Sequence, residues 1–108
     1  MILDLQRIEE LKKLCVQTKQ PAFFKTMIRQ FIQSLNESQA ELEAVDKINI
    51  DRVLHTLKGR CGSIGAIGIA RAIEDAEQAS REQLEAHLVI VRALIGQSID
   101  ALDVLLEE

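Results

Sequence analysis

The sequence predicts an all-α fold: an antiparallel four-helix bundle with a short additional N-terminal helix packed across one end. Three observations support this prediction. Hydrophobic residues make up 47% of the 108 residues and aromatic residues only 3%, and 5 glycines and 1 proline are too few for a loop-rich β protein. Apolar residues recur at steps of three and four, which is the period of one helix face. The breaks between these segments are short, so we expect consecutive helices to lie antiparallel. A length of 108 residues suffices for one domain and not two, and we expect a single domain over residues 1–108.

The first helix is predicted over Leu3–Cys15, and charged residues cover most of its surface. Its apolar side consists of Leu5, Ile8, Leu11 (or Lys12) and Cys15. The pattern breaks after Cys15, and Pro21 then suits the first turn of a new helix, where the N–H that proline lacks has no partner anyway.

The second helix is predicted from Pro21 to about Val45. Its core stripe consists of Phe24, Ile28, Phe31, Ile32, Leu35, Leu42 and Val45. Beside that stripe runs a second one, which we call the side stripe: Phe23, Met27, Gln30 and Ser34. The side stripe begins apolar and ends polar. It either widens the core or forms a surface for a partner.

The third helix is predicted over about Ile50–Ile64. Asp46 or Asn49 is expected to cap its start, and Gly65 is expected to stop it. The predicted buried face of this helix consists of Leu54, Leu57, Cys61 and Ile64.

The last two helices are predicted over about Ile67–Ala79 and about Glu82–Leu106, with Ser80 as the cap between them. The fourth helix directs Ile69, Ala70, Ile73 and Ala76 inward. The fifth has a heptad-like row of Leu84, Leu88, Val91, Ile95, Leu102 and Leu105. No apolar stripe is left over to demand self-association, and we expect a monomer.

Charge and cysteine content exclude several classes of function. The net charge of -4 argues against a broad phosphate-binding surface of the kind that binds nucleic acid, and we expect no nucleic-acid partner. Cys15 and Cys61 form no CxxC motif and are expected to be free thiols in a reducing compartment. No apolar run approaches the roughly 20 residues of a membrane span, and the start of the chain lacks a signal-peptide pattern. We therefore expect a cytoplasmic domain that makes no membrane contact, either free-standing or as the C-terminal domain of a membrane sensor kinase.

The third helix also has a face on which glycines accompany a histidine. At about 100° per residue, the side of the helix that carries His55 also carries Asp51, Lys58, Gly59 and Gly62, with Arg52 nearby. Each glycine inside a helix costs roughly 1 kcal/mol relative to alanine. Access is a physical reason for that cost, because another molecule can approach the imidazole closely where side chains are missing.

The chemistry open to His55 is limited by what surrounds it in the sequence. Neither His55 nor His87 belongs to a group of His, Asp or Glu residues with metal-ligand spacing, so we expect no metal site. A nucleophilic triad is not expected either, because Cys61 points into the core and no serine is placed beside a base. A single exposed imidazole remains, and its neutral nitrogen is a nucleophile toward an activated phosphoryl group. Lys58, one turn later, would place a positive charge near the phosphoryl oxygens. Asp51 either orients the imidazole ring or is an ordinary acidic residue in the first turn of a helix.

The string His55-Thr56-Leu57-Lys58-Gly59, followed by Ile64-Gly65-Ala66, closely resembles the signature of histidine-containing phosphotransfer (HPt) domains. The resemblance covers nearly the whole chain. Phe23 and Phe31 match the aromatic spacing of the family's second helix, and Glu77 stands where a glutamate often closes the fourth.

The chain departs from the usual HPt pattern at two positions. Leu54 stands where many members carry alanine, and Ile73 where many carry cysteine. Both are apolar exchanges on or near the core. The opening Ile2-Leu3-Asp4 is similar to the start of such domains within hybrid sensor kinases, so the remainder of such a kinase is a possible partner.

The resemblance implies a carrier in a phosphorelay and not an enzyme. His55 would take a phosphoryl group from an aspartate of a response-regulator receiver domain and pass it to another receiver. Lys58 would steady that group, and Gly59 and Gly62 would leave room for the receiver. Mg²⁺ and most catalytic groups would belong to the receiver, and the domain would have no cofactor of its own.

The resemblance also implies that receivers dock on the helices around the histidine, which makes the side stripe, together with Asp51, Arg52 and Gly62, the candidate partner surface. Some members carry glutamine where Ser34 stands, and the shorter serine would make a weaker or water-mediated contact.

Two other functions are compatible with the pattern. The domain could bind a receiver or a kinase without being phosphorylated, but a module that only binds has no need of His55, Lys58 and Gly59 together. It could also be a structural bundle, but the glycines then reduce stability without a packing gain. His87, at the edge of the apolar row of the fifth helix, is expected to be an ordinary boundary residue, because no Lys-Gly pair follows it.

Overall fold

The computed structural model describes residues 2–44 and 48–107, and within these ranges all regular structure is helical. The five helices are α1 (Leu5–Gln17), α2 (Pro21–Ala44), α3 (Ile50–Ile64), α4 (Ile67–Gln78) and α5 (Arg81–Glu107). The all-α prediction is therefore confirmed. The predicted end of the second helix at Val45 and the candidate cap Asp46 lie outside the described residues. None of the described helices is both long and apolar enough to cross a membrane.

Helices α2 to α5 form the bundle. Each packs against the next in the chain, and α5 packs back against α2, which closes the ring. The links between α3, α4 and α5 are only two residues long, and short links make consecutive helices antiparallel neighbours. The molecule measures 49 × 22 × 20 Å, because α2 and α5 extend beyond the shorter α3 and α4.

The interior of the bundle is aliphatic, as the apolar periodicity predicted. Its fully buried side chains include Ile28, Leu35, Leu54, Leu57, Ile73, Ile95 and Leu102. Removing a side chain of this size from water contributes about 1.5–3 kcal/mol, so the interior is the main source of stability. In the bundle helices, four predicted core positions lie at the margin of the interior and are only partly buried: Ile32, Ala70, Leu84 and Leu105.

The prediction for the first helix was wrong at Leu5. This side chain is 61% exposed, whereas Leu3 is only 5% exposed and belongs to the core. The reason is that α1 begins after Asp4, whose Oδ1 accepts a 3.1 Å hydrogen bond from the backbone N–H of Arg7. Leu3 therefore precedes the helix and turns into the bundle, while Leu5 lies on the outer side of the first turn.

The N-terminal segment crosses the end of the bundle where α3 turns into α4. The N–H of Asp4 donates to the carbonyl of Gly65 at 2.7 Å, and the N–H of Gly68 donates to the carbonyl of Ile2 at 3.0 Å. The helix that follows, α1, packs against α2. The short helix thus lies at one end of the bundle, in agreement with the prediction.

The predictions for the two ends of α3 had different outcomes. Gly65 ends α3 in the left-handed conformation, with φ of 83°, which confirms the predicted stop. Asn49 is the N-cap residue of α3, but its side chain makes no capping hydrogen bond. Its backbone conformation, φ -97° and ψ -4°, is already close to helical, whereas a capping side chain usually requires an extended backbone.

Candidate functional site around His55

His55 stands exposed on the outer face of α3. The opposite face of the same helix carries Leu54, Leu57 and Cys61, none more than 1% exposed. The imidazole is therefore presented to solvent by a helix that the core holds in place on its other side. This matches the outward position that the periodicity predicted for His55.

The space around the two helical glycines of α3 is open. Gly59 and Gly62 are exposed, and a Cβ atom built on either would meet no atom within 4 Å outside its own helix. Internal packing therefore does not require glycine at these positions. Gly65 differs, since its Cβ would lie 3.2 Å from the side chain of Arg7. The open space at Gly59 and Gly62 lies on the outer, solvent-exposed side of α3.

Lys58 is held by the neighbouring helix. Its Nζ lies 3.5 Å from Oε1 of Glu77 and 3.7 Å from Oε1 of Glu74, both on α4. The lysine side chain is 36% exposed, and the two glutamates are 33% and 54% exposed. The ammonium group is thus shared between two carboxylates instead of standing free beside His55.

Sequence reasoning missed the pairing of Lys58 with Glu74 and noted Glu77 only as typical of the family. A signal for both was available in the register of α3 and α4. Two antiparallel helices joined by a tight turn bring together residues at similar distances from that turn. Lys58 is seven residues before Gly65, and Glu74 is eight residues after Ala66.

Asp51 and Arg52 both lie exposed in the first turn of α3. Within the ranges that the structure describes, no hydrogen bond joins Asp51 to His55. A carboxylate in the first turn interacts favourably with the amino end of a helix, and this accounts for Asp51 without a role at the imidazole. Arg52 offers a positive charge on the same outer surface.

The side stripe runs along α2, which packs against α3. Phe23 is 50% exposed and Gln30 is exposed, whereas Met27 and Ser34 are half-buried. Met27 packs against the core, so at this position the stripe does widen the interior. Phe23 does not, because half of the residue's surface remains open to solvent.

One contact relates the height of the side stripe to that of His55. The Arg60 guanidinium donates a hydrogen bond of 3.4 Å to the hydroxyl of the buried Ser38, which sets Arg60 of α3 level with Ser38 of α2. His55 lies five residues before Arg60 on α3, and Ser34 lies four residues before Ser38 on the antiparallel α2. With a rise of about 1.5 Å per residue, Ser34 is roughly 14 Å and Phe23 roughly 30 Å from His55 along the bundle axis. Ser34 is therefore the member of the stripe nearest to the imidazole, and Phe23 is the farthest.

The remaining candidate groups take no part in this site. Cys61 is fully buried, and its burial raises the pKa of the thiol to about 12, which makes it a poor nucleophile. His87 is half-buried on α5. Among the residues described, no three His, Cys, Asp or Glu side chains are grouped so that they could hold a metal ion.

The bundle and the outward imidazole define a class of protein: small helical domains with a histidine exposed on the outer face of one helix. The family is shown by comparison with known sequences. The profile of the Hpt domain matches residues 24–105, and the chain belongs to this family. Searches of curated proteins and of solved structures gave no significant match.

Membership assigns the domain to phosphorelay signalling in two-component systems. Hpt domains are phosphotransfer modules rather than conventional enzymes, and they interact with receiver domains. The match begins at Phe24 and therefore includes α3 with its histidine, while α1 and the first residues of α2 precede it.

Proposed function

We propose that His55 is the phosphoryl acceptor of this domain and that it carries the group from one receiver domain to another. The observation that supports the proposal is the combination of an exposed imidazole with open space at Gly59 and Gly62 on the same helix. A receiver has to bring an aspartyl phosphate into contact with the ring nitrogen, and side chains at these two positions would stand in its way.

The transfer is a nucleophilic displacement at phosphorus. The ring nitrogen of His55 that holds the lone pair attacks the phosphorus of the aspartyl phosphate. A P–N bond forms while the P–O bond to the aspartate breaks, and the aspartate leaves as a carboxylate. The imidazole keeps its own N–H and becomes a phosphorylated imidazolium. Transfer to a second receiver reverses these steps.

The partner receiver contributes Mg²⁺ and most of the catalytic groups in this proposal. Lys58 contributes a positive charge one turn from His55, and Gly59 contributes clearance. The docking surface extends from Gly62, Asp51 and Arg52 on α3 to the side stripe on α2. The half-buried Ser34 is the part of that stripe closest to the histidine.

A phosphorylated receiver provides the direct test. Incubation with a receiver that carries ³²P on its aspartate should label the wild-type domain, and the label should be stable to alkali and labile to acid. The His55→Gln variant should remain unlabelled, while the matched His87→Gln variant should be labelled as fast as the wild type. Label that persists in His55→Gln would contradict the proposal.

The second candidate is a module that binds a receiver or a kinase without accepting phosphate. It predicts tight receiver binding with no label on any histidine, and the same experiment separates the two candidates when binding is measured alongside labelling. The fit of the Lys58, Gly59 and Gly62 group to phosphotransfer favours the carrier. The monomeric state, the cytoplasmic location and the attachment to a hybrid sensor kinase remain predictions from the sequence.

A further inference from the structure

We propose that Glu74 and Glu77 are positioning residues that hold the ammonium group of Lys58 on α4 and release it to the phosphoryl group on His55. In this way they set the rate at which the domain gains and loses phosphate. The inference rests on the proposed role of His55 and adds two residues of α4 to a site that otherwise consists of α3 and α2.

The geometry brings three charged side chains together across the α3–α4 interface. Lys58 Nζ lies within 3.7 Å of both carboxylates, and the glutamates are three residues apart, so they share one face of α4. Lys58 itself is one turn after His55 on α3. A lysine side chain has four rotatable methylene groups, and this length allows its ammonium group to move between α4 and a group attached to His55.

The charges make the arrangement a competition. One ammonium group between two carboxylates leaves a local net charge of -1. A phosphoryl group that arrives on His55 brings about two further negative charges and oxygen acceptors. The glutamates and the phosphoryl oxygens then compete for the ammonium group of Lys58. While that group is paired with a glutamate of α4, it does not pair with the phosphohistidine.

The exposure of the three side chains keeps this competition balanced. Glu77 is 33% exposed and Glu74 is 54% exposed, and ion pairs open to solvent are weak and are screened by salt. Lys58 is therefore paired with the glutamates weakly enough to exchange one partner for another. Glu77 has both the shorter distance and the lower exposure, so its hold on Lys58 should be the stronger of the two.

Neutralising either glutamate should free the ammonium group. Exposed pairs of about 0.2–1 kcal/mol correspond to changes of up to about fivefold. We expect Glu77→Gln to accept phosphate from a receiver about two- to fivefold faster and to lengthen the lifetime of the phosphohistidine by a similar factor. Glu74→Gln should give a smaller change in the same direction. The affinity for the unphosphorylated receiver should stay the same in both variants.

The matched control is Asp75→Asn, which removes one carboxylate from the same helix without touching the Lys58 pairs. A second control separates an effect that passes through Lys58 from a general change of charge. In a Lys58→Met background, Glu77→Gln should no longer alter the rate, whereas a general charge effect would persist. Raising the ionic strength should reduce the difference between wild type and Glu77→Gln, because salt weakens the pair.

Two readouts keep the failure of this inference distinct from the failure of the proposed function. If wild type takes no phosphate from a receiver or from phosphoramidate, the proposed role of His55 is wrong. If wild type is labelled but Glu77→Gln and Asp75→Asn behave alike, the inference is overturned. The same holds if Glu77→Gln has an equal effect with and without Lys58. The ¹⁵Nζ chemical shift of Lys58, which should change in Glu77→Gln but not in Asp75→Asn, tests the pairing without any phosphotransfer.

Discussion

The backbone N–H of Asp4 donates a 2.7 Å hydrogen bond to the carbonyl of Gly65, which ties the start of the chain to the turn between α3 and α4. The same two residues control local geometry on both sides of this bond. Asp4 caps α1 with its side chain, and Gly65 ends α3 with a left-handed backbone. The end of the helix that bears His55 is therefore braced by the N-terminal segment.

Gly65→Ala should destabilise the domain by about 1–2 kcal/mol, because a left-handed backbone is unfavourable for residues with a Cβ atom. The added Cβ would also lie only 3.2 Å from Cβ and Cγ of Arg7. Urea unfolding at equilibrium measures the change. Gly96→Ala is the matched control, since that position lies inside α5 with open space around it. This variant should be slightly more stable than the wild type. Equal stability changes in the two variants would contradict this account.

Asp4→Ala should cost about 1 kcal/mol through loss of the cap at the start of α1. Asp4→Asn keeps an oxygen acceptor for the N–H of Arg7 and should retain most of the stability. Thermal unfolding of the two variants beside wild type gives the comparison. If Asn and Ala are equally destabilising, the side-chain hydrogen bond is not the cause.

Gly59→Ala and Gly62→Ala should each make the domain more stable yet slow its phosphotransfer. Alanine is favoured over glycine inside a helix by about 0.5–1 kcal/mol, and neither new methyl group meets an atom within 4 Å. The same methyl groups would occupy the space where a receiver approaches His55. Unfolding in urea and the rate of ³²P transfer should therefore change in opposite senses. Gly96→Ala should gain stability with an unchanged transfer rate, which separates a stability effect from a docking effect.

Substitutions in the side stripe should weaken receiver binding in proportion to their closeness to His55. Ser34→Asp lies roughly 14 Å from His55 along the axis and Phe23→Asp roughly 30 Å, so Ser34→Asp should raise the Kd of the receiver more. The reason is that an interface of ordinary size centred on His55 covers about 800 Å² on each partner. Isothermal titration calorimetry measures both. Val89→Asp changes an exposed residue of α5 and serves as the control. A larger effect at Phe23 would move the centre of the interface toward the end of the bundle near α1.

Stability should fall at alkaline pH because of Cys61. Burial raises the pKa of this thiol from 9.0 to about 12, so the folded state favours the protonated form more strongly than the unfolded state does. The contribution of the protonated Cys61 thiol to the free energy of unfolding is complete below about pH 9 and is lost as the pH rises toward 12. The slope of the unfolding free energy against pH in this range should be shallower in Cys61→Ala. The chain contains no tyrosine, and Cys15→Ala provides the matched thiol control.

The sequence by itself determined most of the helical structure and the outward position of His55. The candidate caps and Gly65 placed the third helix at about Ile50–Ile64, in agreement with the bounds of α3, and apolar periodicity assigned Leu54, Leu57 and Cys61 to the interior. These features follow from local rules, because helix period and glycine stops act over a few residues.

Only the tertiary structure decided features that depend on contacts between distant segments. Leu3 and not Leu5 enters the core because the N-terminal segment bonds to the α3–α4 turn, which periodicity within α1 does not encode. Lys58 is paired with Glu74 and Glu77 because two antiparallel helices set its ammonium group beside α4. The surroundings of a surface charge depend on the register between helices, and that register is established only when the cores of the helices pack together.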